Sequence, residues 1–340
     1  MIAFFSVSAL IIILLHYICF LQSFSLSSFA LKLLPLLFAC IFIILLFIVH
    51  KYNGLGAAFL HIFTYGWLGF IFLWFCLSML FILLKICHLN LPQYLPLIIA
   101  SVLTLIATFN AFRTPAIKQI ELFSEKIKKP LLIAQISDTH LGKNISPKRL
   151  EKALKKISAH NPDIIIFTGD VFEETENMQP YIDLIKNLKA PCGKYVISGN
   201  HEYYGGLAQN KEIFRQAELA DLDNTTVQTC GIIINGVSDI PDKNFLNNLK
   251  KQEQFSILLS HQPNDFEKLA SKIDLMLSGH THAGQIFPFN YLVALRYKYV
   301  SGLYKYGESN LYVNPGTFYW GPSMRLLTSN EITLIKLNEK

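Results

Sequence analysis

Seven side chains able to ligate a metal ion stand directly behind five apolar, β-branched runs of this chain. Asp138 and His140 follow residues 131–136, Asp170 follows 163–168, and Asn200 follows 194–197 by way of Gly199. His261 follows 255–260, and His280 and His282 follow 274–278. Asp138 and His140, two apart in extended chain, point to one side of their strand end and can share an ion. Asp170 carries enough acceptor lone pairs to bridge two ions. The set is nitrogen and oxygen without thiolate, which suits Mn, Fe or Zn rather than Mg alone or an iron–sulfur cluster. Singly, an Asp after a strand usually caps a helix and a His is usually a satisfied polar residue. Here five of the six histidines beyond Ala111 fall in or directly beside these positions, His201 adjoining Asn200, with His160 the exception. Together they read as a metal site.

The elements that must bring these residues together follow from the pattern between them. Continuous apolar runs ending in Asp, Asn or His are expected of strands in a sheet covered on both faces, with the chemistry at their C-terminal ends. Ser146-Pro147 starts a helix whose Leu150, Ala153, Leu154 and Ile157 fall at i, i+3, i+4 and i+7. Further helices are expected over 179–188, 243–250 and 263–270, and a strand pair over 224–227 and 231–237. Leu303 to Tyr306, Leu311 to Val313 and Ile332 to Leu337 are strand-like and lack intervening helices, so the second half is expected to build a sheet of its own. Residues 113–130 read as a short mixed-charge linker, with an amphipathic helix carrying Ile117, Ile120 and Leu122.

Composition divides the chain sharply. Residues 1–110 contain no Asp or Glu and only Lys32, Lys51 and Lys85 as full charges. Removing those three from the 30 Lys+Arg leaves a slight cationic excess over the 24 Asp+Glu, which gives nucleic-acid binding no support. Residues 1–112 are therefore expected to form a transmembrane region of four helices, over 2–22, 29–49, 60–84 and 91–109, each near the roughly 20 residues a span requires. Arg113, Lys118, Lys126, Lys128 and Lys129 cluster after the fourth span and, with Lys51, predict a cytoplasmic catalytic side. Lys32 and Lys85 oppose this weakly. Cys192 and Cys230 read as buried thiols; the alternative, a bridge between them, would need an oxidising compartment.

Asp-x-His, Gly-Asp, Gly-Asn-His-Glu, a lone His and Gly-His-Thr-His, in this order from Asp138 to His282, resemble the calcineurin-like metallophosphoesterases. The resemblance runs on through residues 299–304 and 312–316 and is nearest to the membrane-associated bacterial phosphodiesterases. It implies a four-layer α/β/β/α sandwich over residues 131–340, preceded by the four-helix region. By motif, Asp138, His140, Asp170 and His282 would hold a first metal, and Asp170, Asn200, His261 and His280 a second. The resemblance further implies that His201 protonates or stabilises the leaving oxygen, for which imidazole is suited near neutral pH. Asn200 and His201 would thereby touch substrate. Gly169-Asp170 continues as Val171-Phe172-Glu173, without the Asp-Arg of the protein serine/threonine phosphatases, which disfavours that activity. Arg325 would reach a substrate phosphate or form a surface ion pair.

These observations predict a membrane-anchored phosphohydrolase using two divalent ions, with Mn²⁺ first and Fe or Zn as alternatives. Its partners would be membrane lipids and a phosphorylated small-molecule or lipid substrate, with a phosphodiester or pyrophosphate such as that of UDP-diacylglucosamine as the bond cleaved. The expected location is a bacterial inner membrane with the catalytic domain cytoplasmic. Two alternatives stand beside it: a membrane receptor or scaffold in which the phosphoesterase fold is a passive output, and a phosphodiesterase acting on cell-envelope polymers outside the cytoplasm.

Overall fold

The computed structural model describes residues 2–24, 29–51 and 56–340, and they divide into two compact units. The first contains the chain up to Phe112 together with Gly321–Leu326, and the second contains Arg113–Trp320 and Leu327–Lys340.

In the first unit the helices are α1 (Ile2–Ser23), α2 (Phe29–Lys32), α3 (Leu34–Lys51), α4 (Ala57–Ile86) and α5 (Leu95–Phe112). Among the described residues, two of these, α4 and α5, are long and apolar enough to cross a membrane. The other two expected spans fall on α1 and α3, whose apolar stretches are described over Ser8–Ser23 and Leu34–Val49. Four spans were expected; two candidates are found among the described residues. The loop after Lys51, on which the orientation argument partly leans, lies outside the described residues. His16 is buried and structural: its Nδ1 lies 2.8 Å from the Ile12 carbonyl, while Trp67 Nε1 donates to its Nε2 at 3.0 Å.

The second unit contains two six-stranded sheets. The first consists of β1 (Ala116–Phe123), β2 (Leu131–Ile136), β3 (Ile164–Thr168), β4 (Lys194–Ile197), β5 (Ala220–Asp221) and β12 (Glu331–Asn338), in the order β1-β12-β2-β3-β4-β5. The second consists of β6 (Thr225–Thr229), β7 (Ile232–Val237), β8 (Phe255–Ser260), β9 (Leu275–Ser278), β10 (Gly302–Tyr306) and β11 (Ser309–Val313), in the order β10-β11-β9-β8-β7-β6. One buried cluster draws Ile133, Ile164, Ile166 and Ile197 from the first sheet and Ile234, Ile257, Leu259 and Leu277 from the second. The sheets therefore pack face to face. Every residue of β3 is buried, which accounts for its unbroken apolar run.

Helices cover the outer faces. On the first sheet these are α6 (Pro147–Ser158), burying the predicted Leu150, Ala153, Leu154 and Ile157, and α7 (Gln179–Lys186). Two short helices after β4 follow, α8 (Asn200–Tyr204) and α9 (Leu207–Gln216). Near the second sheet lie α10 (Lys243–Asn248) and α11 (Phe266–Leu269), whose Phe266 and Leu269 pack with Leu258, Met276, Leu311 and Val313. A last helix, α12 (Phe289–Arg296), follows β9.

Three expectations are corrected here. Residues 113–130 are not a helical linker: β1 pairs in parallel with β12 from Ala116↔Glu331 to Phe123↔Asn338. Of its residues only Leu122 is buried, so the edge strand shows no clean alternation in sequence. Likewise β12 does not join the second sheet but enters the first, antiparallel to β2. Finally, Cys192 and Cys230 form a disulfide, with their Cα atoms 5.9 Å apart and a sequence separation of 38. Such a bridge typically adds about 2–4 kcal/mol to stability.

The bridge sets the thiol count. Denatured without reductant, the chain is expected to titrate four thiols, those of Cys19, Cys40, Cys76 and Cys87, and six after reduction. Six in both states would show that no bridge forms.

Candidate metal centre

All seven predicted ligands come from the C-terminal ends of β2, β3 and β4 in one sheet and β8 and β9 in the other. The loops leaving those strands are tied to one another. Asp138 N–H donates to the Gly169 carbonyl (3.1 Å), His140 N–H to the Asp170 carbonyl (3.0 Å), and Gly279 N–H to the His261 carbonyl (2.9 Å). Turning the side chains inward requires left-handed backbone at Asp138 (φ 52°), His140 (42°), Asp170 (51°), His280 (70°) and His282 (48°). Each such residue costs on the order of 1 kcal/mol or more. Gly199 lies against Asp170 so closely that a Cβ there would fall on Oδ1 and the Asp170 backbone nitrogen.

Three groups have their ligand atoms within 4.8 Å of one another: Asp138, His140 and His282; His140, Asp170 and His201; and Asp170, His261 and His280. Around His261 the geometry is most telling. Its Nδ1 lies 2.8 Å from the Thr168 carbonyl and donates to it. Its Nε2 then faces Asp170 Oδ2 at 3.1 Å, Asn200 Oδ1 at 3.2 Å and His280 Nδ1 at 3.2 Å. The His280 tautomer is fixed in turn: its Nε2–H donates to Tyr297 Oη (2.7 Å), whose hydroxyl donates to Gln262 Oε1 (3.1 Å). Four electron-pair donors thus converge. A proton can join two of them, whereas a divalent cation can join all four.

The second cluster follows the same logic. His140 Nδ1 donates to Glu173 Oε2 (2.9 Å), leaving Nε2 to face His282 Nε2 at 3.1 Å and Asp170 Oδ2 at 3.9 Å. His282 Nε2 lies 3.5 Å from Asp138 Oδ1. Asp170 reaches both clusters, and it holds His201 N–H through Oδ1 at 2.9 Å. The donor set fits a pair of divalent ions sharing Asp170.

Electrostatics express the same demand. Burial alone would lower the His261 imidazole, but the Asp170 carboxylate raises it to about 10. Burial pushes the Asp138 carboxyl up. Asp170, equally buried, is nevertheless held well below the carboxylate range by His261, His140 and His201. His201 Nδ1 donates to Glu173 Oε2 at 2.8 Å, and this carboxylate, with Asp170, raises the His201 imidazole against the effect of burial.

Several site residues carried no assigned role in sequence. Glu173 holds both His140 and His201 through one carboxylate; nothing in its spacing announces this. Glu202 accepts backbone N–H groups from Gly199 (2.7 Å), Asp170 (3.0 Å), Val171 (2.8 Å) and Phe172 (3.1 Å). It thereby welds the β3 and β4 loops together. Tyr204 and Trp320 stand edge-on to the His201 ring, each with centroids 5.3 Å away. The Trp320 backbone is clasped at both polar atoms by the Gln285 amide, at 2.8 and 3.0 Å. Arg325 is fully buried, in the segment Gly321–Leu326 of the first unit, and its backbone N–H donates to the Ala107 carbonyl at 2.8 Å.

A sequence model of the calcineurin-like phosphoesterase family matches residues 131–284. An uncharacterized metallophosphoesterase of Campylobacter jejuni is 35% identical over 260 residues, covering 72% of this chain and 70% of the relative. One from Helicobacter pylori is 33% identical over 245 residues, covering 68% and 66%. A transmembrane protein with metallophosphoesterase domain from Danio rerio is 29% identical over 273 residues, covering 72% and 62%. The chain thus spans about two thirds of the length of these relatives.

Replacing Glu202 tests the weld. In Glu202→Ala the four backbone donors lose their acceptor, at about 1–3 kcal/mol for each left buried and unpaired. The expected result is a sharply lowered unfolding midpoint and a metal affinity weakened by roughly 10–100-fold, as for other groups that orient ligands. An unchanged midpoint by calorimetry would contradict the role assigned to this carboxylate.

Proposed function

Because the chain belongs to the calcineurin-like metallophosphoesterases and is a metal-dependent phosphoesterase, we propose that it is a membrane-anchored two-metal phosphohydrolase. Its substrate in this reading is a lipid-linked phosphodiester or pyrophosphate at the membrane surface. The observation that carries the two-metal reading is the convergence of His261, Asp170, Asn200 and His280 on one point with their lone pairs turned inward. Asp138, His140, Asp170 and His282 would hold one ion, and Asp170, Asn200, His261 and His280 the other, with Mn²⁺ the first candidate. Such ions supply Lewis-acid polarisation of the phosphate oxygens and a nucleophile from water at neutral pH.

The chain's own contribution centres on His201. Glu173 accepts from its Nδ1, which keeps the ring oriented with Nε2 as the atom that gives a proton to the departing oxygen. The raised imidazole favours that protonated form near neutral pH. Asp170 fixes the His201 backbone through the N–H bond, so the acid and the metal-holding carboxylate move as one piece. Asn200, one residue earlier on the same helical turn, positions the phosphate beside it.

Two apolar helices of sufficient length and a relative named as a transmembrane protein support anchoring. The Cys192–Cys230 bridge supports an oxidising compartment for the catalytic unit. Lys126 belongs to the cluster that predicts the cytoplasmic face, but it also has a structural use in its ion pair with Asp274 at 2.8 Å. We therefore favour the outer face of the membrane. That choice disfavours UDP-diacylglucosamine as substrate, since that reading goes with a cytoplasmic site.

Two measurements follow. His201→Gln is expected to lower kcat about 10²–10⁴-fold on an alkyl phosphodiester. The loss should be much smaller on a p-nitrophenyl ester, whose leaving group needs no proton, and bound metal should be unchanged. Equal losses on both substrates would rule out a proton donor. For orientation, a cysteine introduced at Lys128 should react with an impermeant maleimide in intact cells; labelling only after lysis would place the site in the cytoplasm.

A further inference from the structure

Between Asp274 and Glu308 the chain contains no acidic residue, while Arg296, Lys298 and Lys305 are cationic. At the centre of this stretch lies α12, none of whose eight residues is buried. Phe287, Phe289, Tyr291, Leu292 and Leu295 are all exposed, Leu295 to 85%. Helices on a folded domain ordinarily hide such side chains, and contiguous exposed apolar surface marks an interaction site.

Both ends of α12 are tied to candidate metal ligands. At its start, Gly284, two residues after His282, packs so tightly on Asn290 that a Cβ would meet the Asn290 backbone. Just beyond its end, the Tyr297 hydroxyl accepts from His280 at 2.7 Å. The helix is therefore part of the rim of the site. Its composition is that of an interfacial segment: large apolar and aromatic side chains beside Arg and Lys, with no carboxylate of its own between Asp274 and Glu308. The same chain carries two helices able to cross a bilayer, so a lipid surface is the partner within its reach.

We propose that α12 and its flanks insert into the headgroup region of an anionic bilayer and present membrane-borne phosphoesters to the metal site. This inference rests on the phosphohydrolase reading above and adds to it the surface by which substrate arrives. Lys298 takes part structurally as well, through its ion pair with Glu267.

Hydrogen exchange by mass spectrometry on the full chain reconstituted in vesicles tests the docking. The amides of residues 289–297 are expected to exchange at least tenfold more slowly in phosphatidylethanolamine–phosphatidylglycerol vesicles than in phosphatidylcholine vesicles. Leu292→Glu/Leu295→Glu should abolish that difference, and Leu292→Met/Leu295→Met should retain it. Turnover of bis(p-nitrophenyl) phosphate with Mn²⁺ should be unchanged in both variants. Equal exchange in the two vesicle types, with this soluble ester still hydrolysed, would overturn the docking surface and leave the hydrolase standing. Absence of turnover with protection intact would instead count against the hydrolase.

Discussion

His261 commits one ring nitrogen to the Thr168 carbonyl and confronts Asp170, Asn200 and His280 with the other. Lone pairs facing lone pairs inside a protein are repulsive unless positive charge lies among them. Both sheets are arranged around that requirement. The C-terminal ends of interior strands supply the ligands, loop-to-loop hydrogen bonds hold those ends together, and five residues accept left-handed backbone to aim their side chains inward. Strain of this kind persists where surrounding structure over-determines it. Here the inter-sheet core of Ile, Leu and Tyr side chains provides the rigid body against which the loops are bent.

Glu202 and Glu173 show how one carboxylate can serve several elements. Glu202 gathers four backbone donors from two loops, so Asp170 and the Asn200-His201 turn cannot drift apart. Glu173 joins a candidate metal ligand, His140, to the candidate acid, His201. Proton delivery and metal holding are thereby coupled through neighbouring groups of one buried network, in which partial satisfaction would be costly.

The converging candidate ligands were legible in sequence because each follows an apolar run, and strands β2, β4 and β8 begin and end where those runs do. Helix α6 was legible for the same reason, its apolar face repeating at helical spacing. What escaped was set by partners distant in sequence. Strand β1 is mostly exposed and owes its conformation to pairing with β12, more than 200 residues later. The place of β12 between β1 and β2 is a matter of topology, which local pattern does not encode. Cys192 and Cys230 meet because β-strand placement closes the 38-residue gap. Glu173, Tyr297 and Trp320 carry no spacing signal; they matter because of where the fold puts them. Arg325, for which the sequence left a substrate phosphate and a surface ion pair open, is buried in the helical unit.

In the two-metal proposal, the converging donors of the two sheets would hold a pair of ions sharing Asp170. Electron paramagnetic resonance of the full chain loaded with Mn²⁺ addresses it most directly. Two ions per chain and the multiline spectrum of an exchange-coupled Mn(II) pair are expected, collapsing to uncoupled signals in Asp170→Asn. A single isolated Mn(II) signal in the unaltered chain, or no tightly bound ion, would contradict it.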